Sequence, residues 1–314
     1  MTGDEAIRFH IPDFLKHFTL NMLLLRHMQK NPGAYRENVK IGSVYGVFPT
    51  AVWNGGRFFQ GTCDERVIRE VLKQFNSQGV PCRYTFTNTQ LTEAHLSDRF
   101  CNRLMQLADN GLNEVIVASP VLEAYLREKY PRFPLVSSTC KAITDPDALR
   151  AELEKDYSLV VLDYRHNNNW ALLSQISDPG KCELLVDACC DPDCKRRTEH
   201  YDSISRSQIA YWEWERKAKR PGMRPPQLEV ERFTCPYMEK PLYDTVGYRT
   251  HITPEDLYGK YVPAGFRNFK LEGRSLPDID VLETYVYYLV RPEHRDAVRL
   301  ELLLRLTGKH KYFS

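Results

Sequence analysis

The sequence lacks a long hydrophobic run and an excess of charge of either sign, and these absences exclude several classes of protein. No apolar stretch approaches the roughly 18 residues that span a bilayer, so we expect no membrane segment. The 43 Lys and Arg residues nearly balance the 41 Asp and Glu residues. No overall field therefore draws the protein to nucleic acid or anionic lipid, and only a local basic patch remains open.

Hydrolase signatures and targeting signals are also missing. The sequence contains neither a Gly-x-Ser-x-Gly elbow nor an HExxH motif, so it shows no recognised nucleophile or zinc site of a peptidase. If the protein is a peptidase, Cys63 or Cys140 together with His200 would be the only candidate catalytic pair. Residues 1–14 lack the basic-then-apolar layout of a secretory signal, and we expect a cytoplasmic protein.

From Val44 onward, short β-branched or aromatic runs alternate with longer amphipathic stretches, the pattern of βα units around a parallel sheet. Several runs are almost wholly apolar, as strands buried on both faces are. Eight candidate strands predict an α/β fold, a TIM-type (β/α)8 barrel. They are Val44–Phe48, Cys82–Thr87, Glu114–Ala118, Pro134–Ser138, Ser158–Asp163, Cys182–Ala188, Tyr248–Ile252 and Asn268–Leu271.

One barrel domain over residues 1–314 accounts for the length, since such barrels run to about 250 residues and beyond. Residues 1–40 contain a long amphipathic stretch and are predicted to form an N-terminal helical cap. Residues 191–244 break the βα rhythm, and we interpret them as an irregular insertion after the sixth strand. This insertion is either a lid or a helix packed on the barrel rim, and its aromatic and basic residues leave a contact with nucleobases open.

Nine cysteines are too few for a disulfide scaffold of this size, and in a reducing compartment they indicate metal binding or catalysis. Cys190 and Cys194 form a C-x3-C motif after the sixth predicted strand, with Pro192 turning the chain between them. Cys140 ends the fourth predicted strand and Cys235 precedes the seventh, so both can reach the same barrel mouth. Four thiolates suit a 4Fe-4S cluster, and they would also suit structural zinc.

Two of these ligand assignments have rivals. Cys63 is the alternative to Cys140 as fourth ligand. Cys189 is the alternative to Cys190, which makes the shorter loop to Cys194. Three further cysteines lie in strand or helix patterns and are predicted to be core residues: Cys82, Cys101 and Cys182.

Charged residues near the predicted strand ends suggest an anion site. Lys270, Glu272 and Arg274 alternate along the last predicted strand, so they are expected to share one side. Ammonium and guanidinium groups bind carboxylates through charge-assisted hydrogen bonds, but a purely structural ion network is equally expected. Arg57 follows two glycines that permit close backbone approach to an anion, and a simple Asn-Gly turn is the alternative.

Other polar residues complete the candidate site. His200 is a candidate general acid or base near the cluster, with a surface role as the alternative. Asp163 and His166 follow the fifth predicted strand and are expected to line the pocket. The run of asparagines at 167–169 is predicted to be a solvated turn, and His95 a surface residue of a helix.

The segment His251 to Ser275, HITPEDLYGKYVPAGFRNFKLEGRS, resembles the signature of the collagenase-like peptidase family U-32. That signature has a Ser/Thr-Pro-x-Asp-Leu helix start, an Ala-Gly turn and a Phe-Lys-(Ile/Leu)-Glu-Gly-Arg strand. The stretch ELLVDACCDPDCKRRTEHY is similar to short members of the family, in which a strand ends in Cys, three residues and a second Cys. WNGGR and YYLVRPEHRDAVR extend the resemblance over most of the chain.

The resemblance implies an α/β barrel with a 4Fe-4S cluster on four cysteines. Cys190, Cys194 and Cys235 map onto cluster ligands, with Cys140 as the fourth. Despite the family's name, the resemblance implies oxygen-independent hydroxylation of tRNA, ribosomal RNA or a quinone precursor, with prephenate as oxygen donor. This chain lacks the extra cysteine motif and accessory domain of the RNA-modifying members, which favours a small substrate over RNA.

We therefore expect an iron-sulfur enzyme that performs oxygen-independent hydroxylation or related redox chemistry. Its expected substrate is a small molecule such as a carboxylate, with prephenate as an example, and a nucleic acid is not favoured. A partner subunit or electron donor is a further expectation. The alternatives are a peptidase and a non-catalytic binding protein stapled by metal.

Overall fold

A computed structural model describes residues 6–218, 227–235 and 240–309. In this part of the chain eight strands follow one another in chain order around a closed barrel, which confirms the predicted (β/α)8 fold. The strands are β1 (Ile7–Pro12), β2 (Val39–Gly46), β3 (Cys82–Phe86), β4 (Glu114–Val117), β5 (Leu135–Ser137), β6 (Leu159–Val161), β7 (Cys182–Leu185) and β8 (Asn268–Lys270).

Helices separate most consecutive strands, as the βα rhythm predicts. They are α1 (Phe18–Lys30), α2 (Glu65–Asn76), α3 (Arg99–Ala108), α4 (Pro120–Lys129), α5 (Pro146–Glu154), α6 (Trp170–Leu173), α7 (Arg197–Ala218), α8 (Leu242–Thr245), α9 (Pro254–Asp256), α10 (Asp278–Leu289) and α11 (Arg295–Leu306). Short 3-10 turns occur at Pro32–Ala34, Glu93–His95, Thr139–Lys141, Tyr164–His166, Pro179–Lys181 and Pro292–His294, and a π-helical turn at Leu257–Tyr261. Within the described residues, no helix has both the length and the apolar character to cross a bilayer.

The chain divides into two compact units. The first comprises the described residues of Met1–Tyr45, Leu162–Asp193 and Tyr237–Ser314, and in it β1 pairs in parallel with β2 and with β8, and β7 pairs with β8. The second comprises the described residues of Gly46–Val161 and Cys194–Pro236, in which β3, β4, β5 and β6 pair in sequence.

Two of the predicted elements are wrong, although the number of strands is right. Residues 1–40 are not wholly a helical cap, because Ile7–Pro12 form the first barrel strand. The predicted strand Tyr248–Ile252 is a series of turns instead, because the backbone carbonyls of Thr250 and His251 accept hydrogen bonds from the side chains of two asparagines. The insertion therefore follows the seventh strand rather than the sixth.

Helix starts follow their local signals. Asp64 and Asp145 cap α2 and α5 through their carboxylates, and Thr253 caps α9 through its hydroxyl. His95 is not a surface residue, because it is buried and accepts a hydrogen bond from the backbone N–H of Thr92 at 3.0 Å.

The insertion contains one long helix, α7, which packs on loops of the second unit. Gln208 accepts hydrogen bonds from Asn54 at 3.3 Å and from the backbone of Phe59 at 3.1 Å. Trp212 donates to Asp98 at 2.8 Å. These contacts support the helix-on-the-rim interpretation of the insertion. The end of its basic stretch, 219–226, lies outside the described residues, as does 236–239.

Gly55 allows two loops of the second unit to approach closely. A methyl group at this position would overlap the carbonyl group of Thr87 and lie 2.6 Å from the backbone nitrogen of Asn88. Both neighbours are backbone atoms, which cannot rotate away as a flexible side chain can. The first glycine of WNGGR, Gly55, thus has a packing reason that needs no anion.

We predict that Gly55→Ala lowers the free energy of unfolding by about 3 kcal/mol, because the added methyl group overpacks rigid backbone. Gly33→Ala is the matched control, since nothing lies within 4 Å of a Cβ there, and it is expected to change stability by less than about 0.5 kcal/mol. Urea unfolding of both variants makes the comparison. Equal effects of the two substitutions would contradict the close approach at Gly55.

Candidate functional site

The inward face of strands β7, β8, β1 and β2 carries a buried polar cluster. Nδ1 of His10 lies 2.8 Å from the hydroxyl of Ser43. Nε2 of the same ring lies 3.4 Å from Oδ1 of Asn268 and 3.5 Å from a carboxylate oxygen of Glu183. Four strands thus contribute polar groups to one place. No local signal in the sequence pointed to His10 or Glu183, whose partners come from distant parts of the chain.

Lys270 extends this cluster at the C-terminal end of β8. Its ammonium lies 3.5 Å from the Glu183 carboxylate and 4.1 Å from the ring centroid of Tyr45. The Tyr45 hydroxyl donates to the carbonyl of Leu271 at 2.5 Å. A buried cation at this end of a barrel strand is placed where TIM barrels bind their substrates. The ammonium pairs with Glu183, and its three N–H donors make it a candidate for contact with an additional anion.

The alternation predicted for residues 270–274 does not continue as a strand. β8 ends at Lys270, and Gly273 turns the chain with φ +133°. The Glu272 carboxylate accepts the backbone N–H of Cys189 at 2.7 Å, while Arg274 is buried. The start of α1 holds this loop, because His17 donates to the carbonyl of Gly273 at 2.9 Å.

Asp187, which sequence reasoning did not single out, follows β7 and interacts with Glu272. Its carboxylate accepts the backbone N–H of Glu272 at 2.8 Å. Burial, followed by the charge of Glu272, raises the pKa of Asp187 to about 8. At neutral pH this carboxyl group therefore retains its proton, and a carboxyl with so perturbed a pKa is a candidate proton donor. An aspartate directly after an apolar strand was the signal that could have identified it.

The loop after β6 is more structural than predicted. Asp163 caps the turn that follows it and binds Arg165 at 2.8 Å. Asn167 is not solvated, because its side chain is buried and donates to the carbonyls of Leu185 and Thr250 at 2.8 and 2.7 Å. Burial lowers the pKa of His251 to about 4, so this imidazole is neutral at pH 7.

Two candidate cysteines lie in the first unit, just after β7. The Cys189 side chain is buried, and its backbone N–H is held by Glu272. Cys190 is partly exposed and packs against Tyr164, Leu185 and Ala188. The more accessible thiol of the pair is thus the predicted ligand Cys190.

Three candidate cysteines lie in the second unit near α7. Cys140 packs against Tyr201. Cys194 and Cys235 are both close enough to Arg196 to influence it electrostatically. The pKa of Arg196 is raised, first by its hydrogen bond to Glu199 and then by the charge of Glu199 and by the two cysteines.

None of the nine cysteines, all of which lie in the described residues, forms a disulfide. Across residues 6–218, 227–235 and 240–309, no three His, Cys, Asp or Glu side chains converge as a metal centre requires. The predicted donors match an iron-sulfur cluster in chemical type, and two of them, Cys194 and Cys235, share Arg196 as a neighbour.

The remaining candidates, His200 and Arg57, are engaged with nearby groups of the second unit. The His200 ring stacks on Phe233 with a centroid distance of 4.5 Å and an interplanar angle of 7°. The Arg57 guanidinium donates to the carbonyl of Gly56 at 2.6 Å, and the Arg57 carbonyl accepts from Asn54 at 2.7 Å. These contacts give both residues a structural explanation in addition to the predicted one.

No model of a known protein family matches the chain, and no curated protein matches it. A solved structure of a U32 peptidase, Mk0906, is similar at 14% sequence identity and a TM-score of 0.49, covering 88% of this chain and 96% of that one. A similarity of this degree carries no conclusion about the family or the activity of this chain.

We predict that Asp187 makes stability fall as pH rises from about 4 to about 8. The folded chain retains the Asp187 proton up to about pH 8, whereas the unfolded chain releases it near the ordinary value of 3.8. The folded state therefore binds one more proton in this window, which corresponds to a slope of up to about 1.4 kcal/mol per pH unit. Asp187→Asn should reduce that slope.

Urea unfolding of the metal-free chain at several pH values measures this effect. Asp193→Asn is the control, because Asp193 lies on the same loop and is exposed. A pH dependence that is the same in wild type and Asp187→Asn would show that Asp187 is already ionised in the folded chain.

Proposed function

We propose that this chain is an iron-sulfur enzyme that performs oxygen-independent hydroxylation or related redox chemistry on a small carboxylate substrate. One observation carries the proposal: Arg196, two residues after Cys194 of the C-x3-C motif, donates a hydrogen bond at 3.2 Å to the carbonyl of Thr234, which directly precedes the distant Cys235. Thiolates that are far apart in sequence and adjacent in space are the usual ligands of such clusters. The resemblance of residues 251–275 and of the C-x3-C segment to family U-32 supports the same assignment.

Cys140, Cys190, Cys194 and Cys235 are the proposed ligands. A bound 4Fe-4S cluster would supply electron transfer or an open iron site. None of the nine cysteines forms a disulfide, so the four proposed ligands keep their thiol groups.

The proposed substrate site lies at the C-terminal end of β8. Lys270 would bind a substrate carboxylate, with the Tyr45 ring and Glu183 fixing the position of its ammonium. Asp187 would hold a proton nearby, since its carboxyl group retains one at neutral pH. The balanced charge of the chain favours a small anion such as prephenate over nucleic acid. A separate electron donor or partner subunit would complete the reaction.

Two other functions remain as alternatives. A peptidase is suggested by the family's name, but among the described residues no recognised nucleophile-base pair accompanies it. A non-catalytic role would leave the cysteines as a structural zinc site that staples the insertion. The metal content separates these alternatives.

We predict about four irons and four sulfides per chain in protein purified without oxygen, the content of one 4Fe-4S cluster. Cys194→Ala should lose both iron and the absorbance near 400 nm. Cys63→Ser is the control, and it should retain the cluster if Cys140 is the fourth ligand. Stoichiometric zinc would instead indicate the structural role, and hydrolysis by metal-free protein the peptidase.

We predict that Lys270→Met weakens the binding of prephenate by about tenfold, because a charge-assisted hydrogen bond is lost. Lys260→Met is the matched control, since Lys260 is exposed and pairs with Asp256 on its own helix. Isothermal titration calorimetry on both variants makes the comparison. Binding that is unchanged in Lys270→Met would place the anion elsewhere.

A further inference from the structure

Residues 231–235 form a segment, here called the clasp, that runs antiparallel to α7. Glu231 accepts two hydrogen bonds from Arg206, at 2.7 and 2.9 Å. Further along the clasp, Phe233 meets His200, and Thr234 meets Arg196. Along these contacts the residue number rises in the clasp while it falls in the helical segment. The clasp therefore approaches the N-terminal end of α7 as it reaches Cys235.

Arg196 makes the last contacts of the clasp. Its guanidinium donates to the carbonyl of Thr234 at 3.2 Å and lies 4.4 Å from the ring centroid of Phe233. Phe233 also contacts His200, and the centroids of the two stacked rings are 4.5 Å apart. Each contact is modest, because the groups are partly exposed, but together they hold the residue before Cys235 against the start of the helix.

The same arginine also bonds to Glu199 in the first turn of α7, which fixes its position just before the helix. The two hydrogen bonds to the Glu199 carboxylate are 2.7 and 2.8 Å long. Cys194 lies two residues before Arg196, and Cys235 directly follows Thr234. An arginine that bonds to both Glu199 and Thr234 therefore connects the chain segments that carry the two cysteines.

We propose that Arg196 is a positioning residue that holds Cys235 beside Cys194 by binding the Thr234 carbonyl and the face of Phe233. The functional role of Arg196 rests on the proposed function, since paired thiolates matter only if they bind a metal centre. The contacts of Arg196 belong to the metal-free chain and do not depend on that function.

The test is cross-linking of the full-length, reduced, metal-free chain by dibromobimane, which becomes fluorescent when it joins two thiols. We expect a Cys194–Cys235 cross-link, identified by peptide mass spectrometry and absent in Cys235→Ser. Arg196→Gln and Phe233→Ala should each slow this cross-link by about fivefold, the effect of losing one hydrogen bond or one cation–π contact.

Arg216→Gln is the matched control, because Arg216 lies on α7 and its guanidinium packs over the ring of Trp212 rather than over the clasp. It should cross-link at the wild-type rate. No Cys194–Cys235 product in the wild type would overturn the inference, as would equal rates in wild type, Arg196→Gln and Phe233→Ala. Circular dichroism on each variant identifies any loss of fold, and Phe233→Ala decides the question if Arg196→Gln does not fold.

Iron and sulfide content, measured on the same variants after purification without oxygen, separates this inference from the proposed function. Wild-type protein without iron but with an Arg196-dependent cross-link would remove the cluster and leave the positioning role intact. Wild-type protein with a full cluster but without the cross-link would support the function and overturn the role of Arg196.

Discussion

The buried polar contacts of His10 hold together the sheet formed by β7, β8, β1 and β2. β1 pairs with β2 on one side and β8 on the other, so its inward side chains meet residues from distant parts of the chain. His10 lies within reach of Ser43, Asn268 and Glu183. A buried polar group without a partner costs more than a hydrogen bond contributes, so these contacts favour one strand register over a slip by one residue.

The candidate substrate site depends on that register. It places Lys270 beside Glu183 and over the ring of Tyr45, and the Tyr45 hydroxyl then binds the backbone that follows β8. The next residues turn back toward β7, where Glu272 binds near Asp187. Burial of the Asp187 carboxyl group, rather than any special chemistry of the residue, makes it retain a proton at neutral pH.

In the second unit, helix α7 holds neighbouring segments together. Its side chains bind loops that follow β2 and β3, and its first turns receive the clasp that carries Cys235. The described residues of the insertion are thereby held by α7 and by contacts that involve Arg196, Phe233 and Glu231. The segments of Cys194 and Cys235, two of the proposed cluster ligands, are thus connected by contacts that need no metal.

Local signals in the sequence determined the βα rhythm, the apolar strands and the helix starts, because a cap such as Asp64 or Asp145 acts on residues within one turn. The C-x3-C motif was equally visible. Only the tertiary structure decided that residues 7–12 form a barrel strand and 248–252 do not, and that Asp187 holds a proton. Those outcomes depend on hydrogen-bond partners and burial supplied by distant parts of the chain, which no local pattern records.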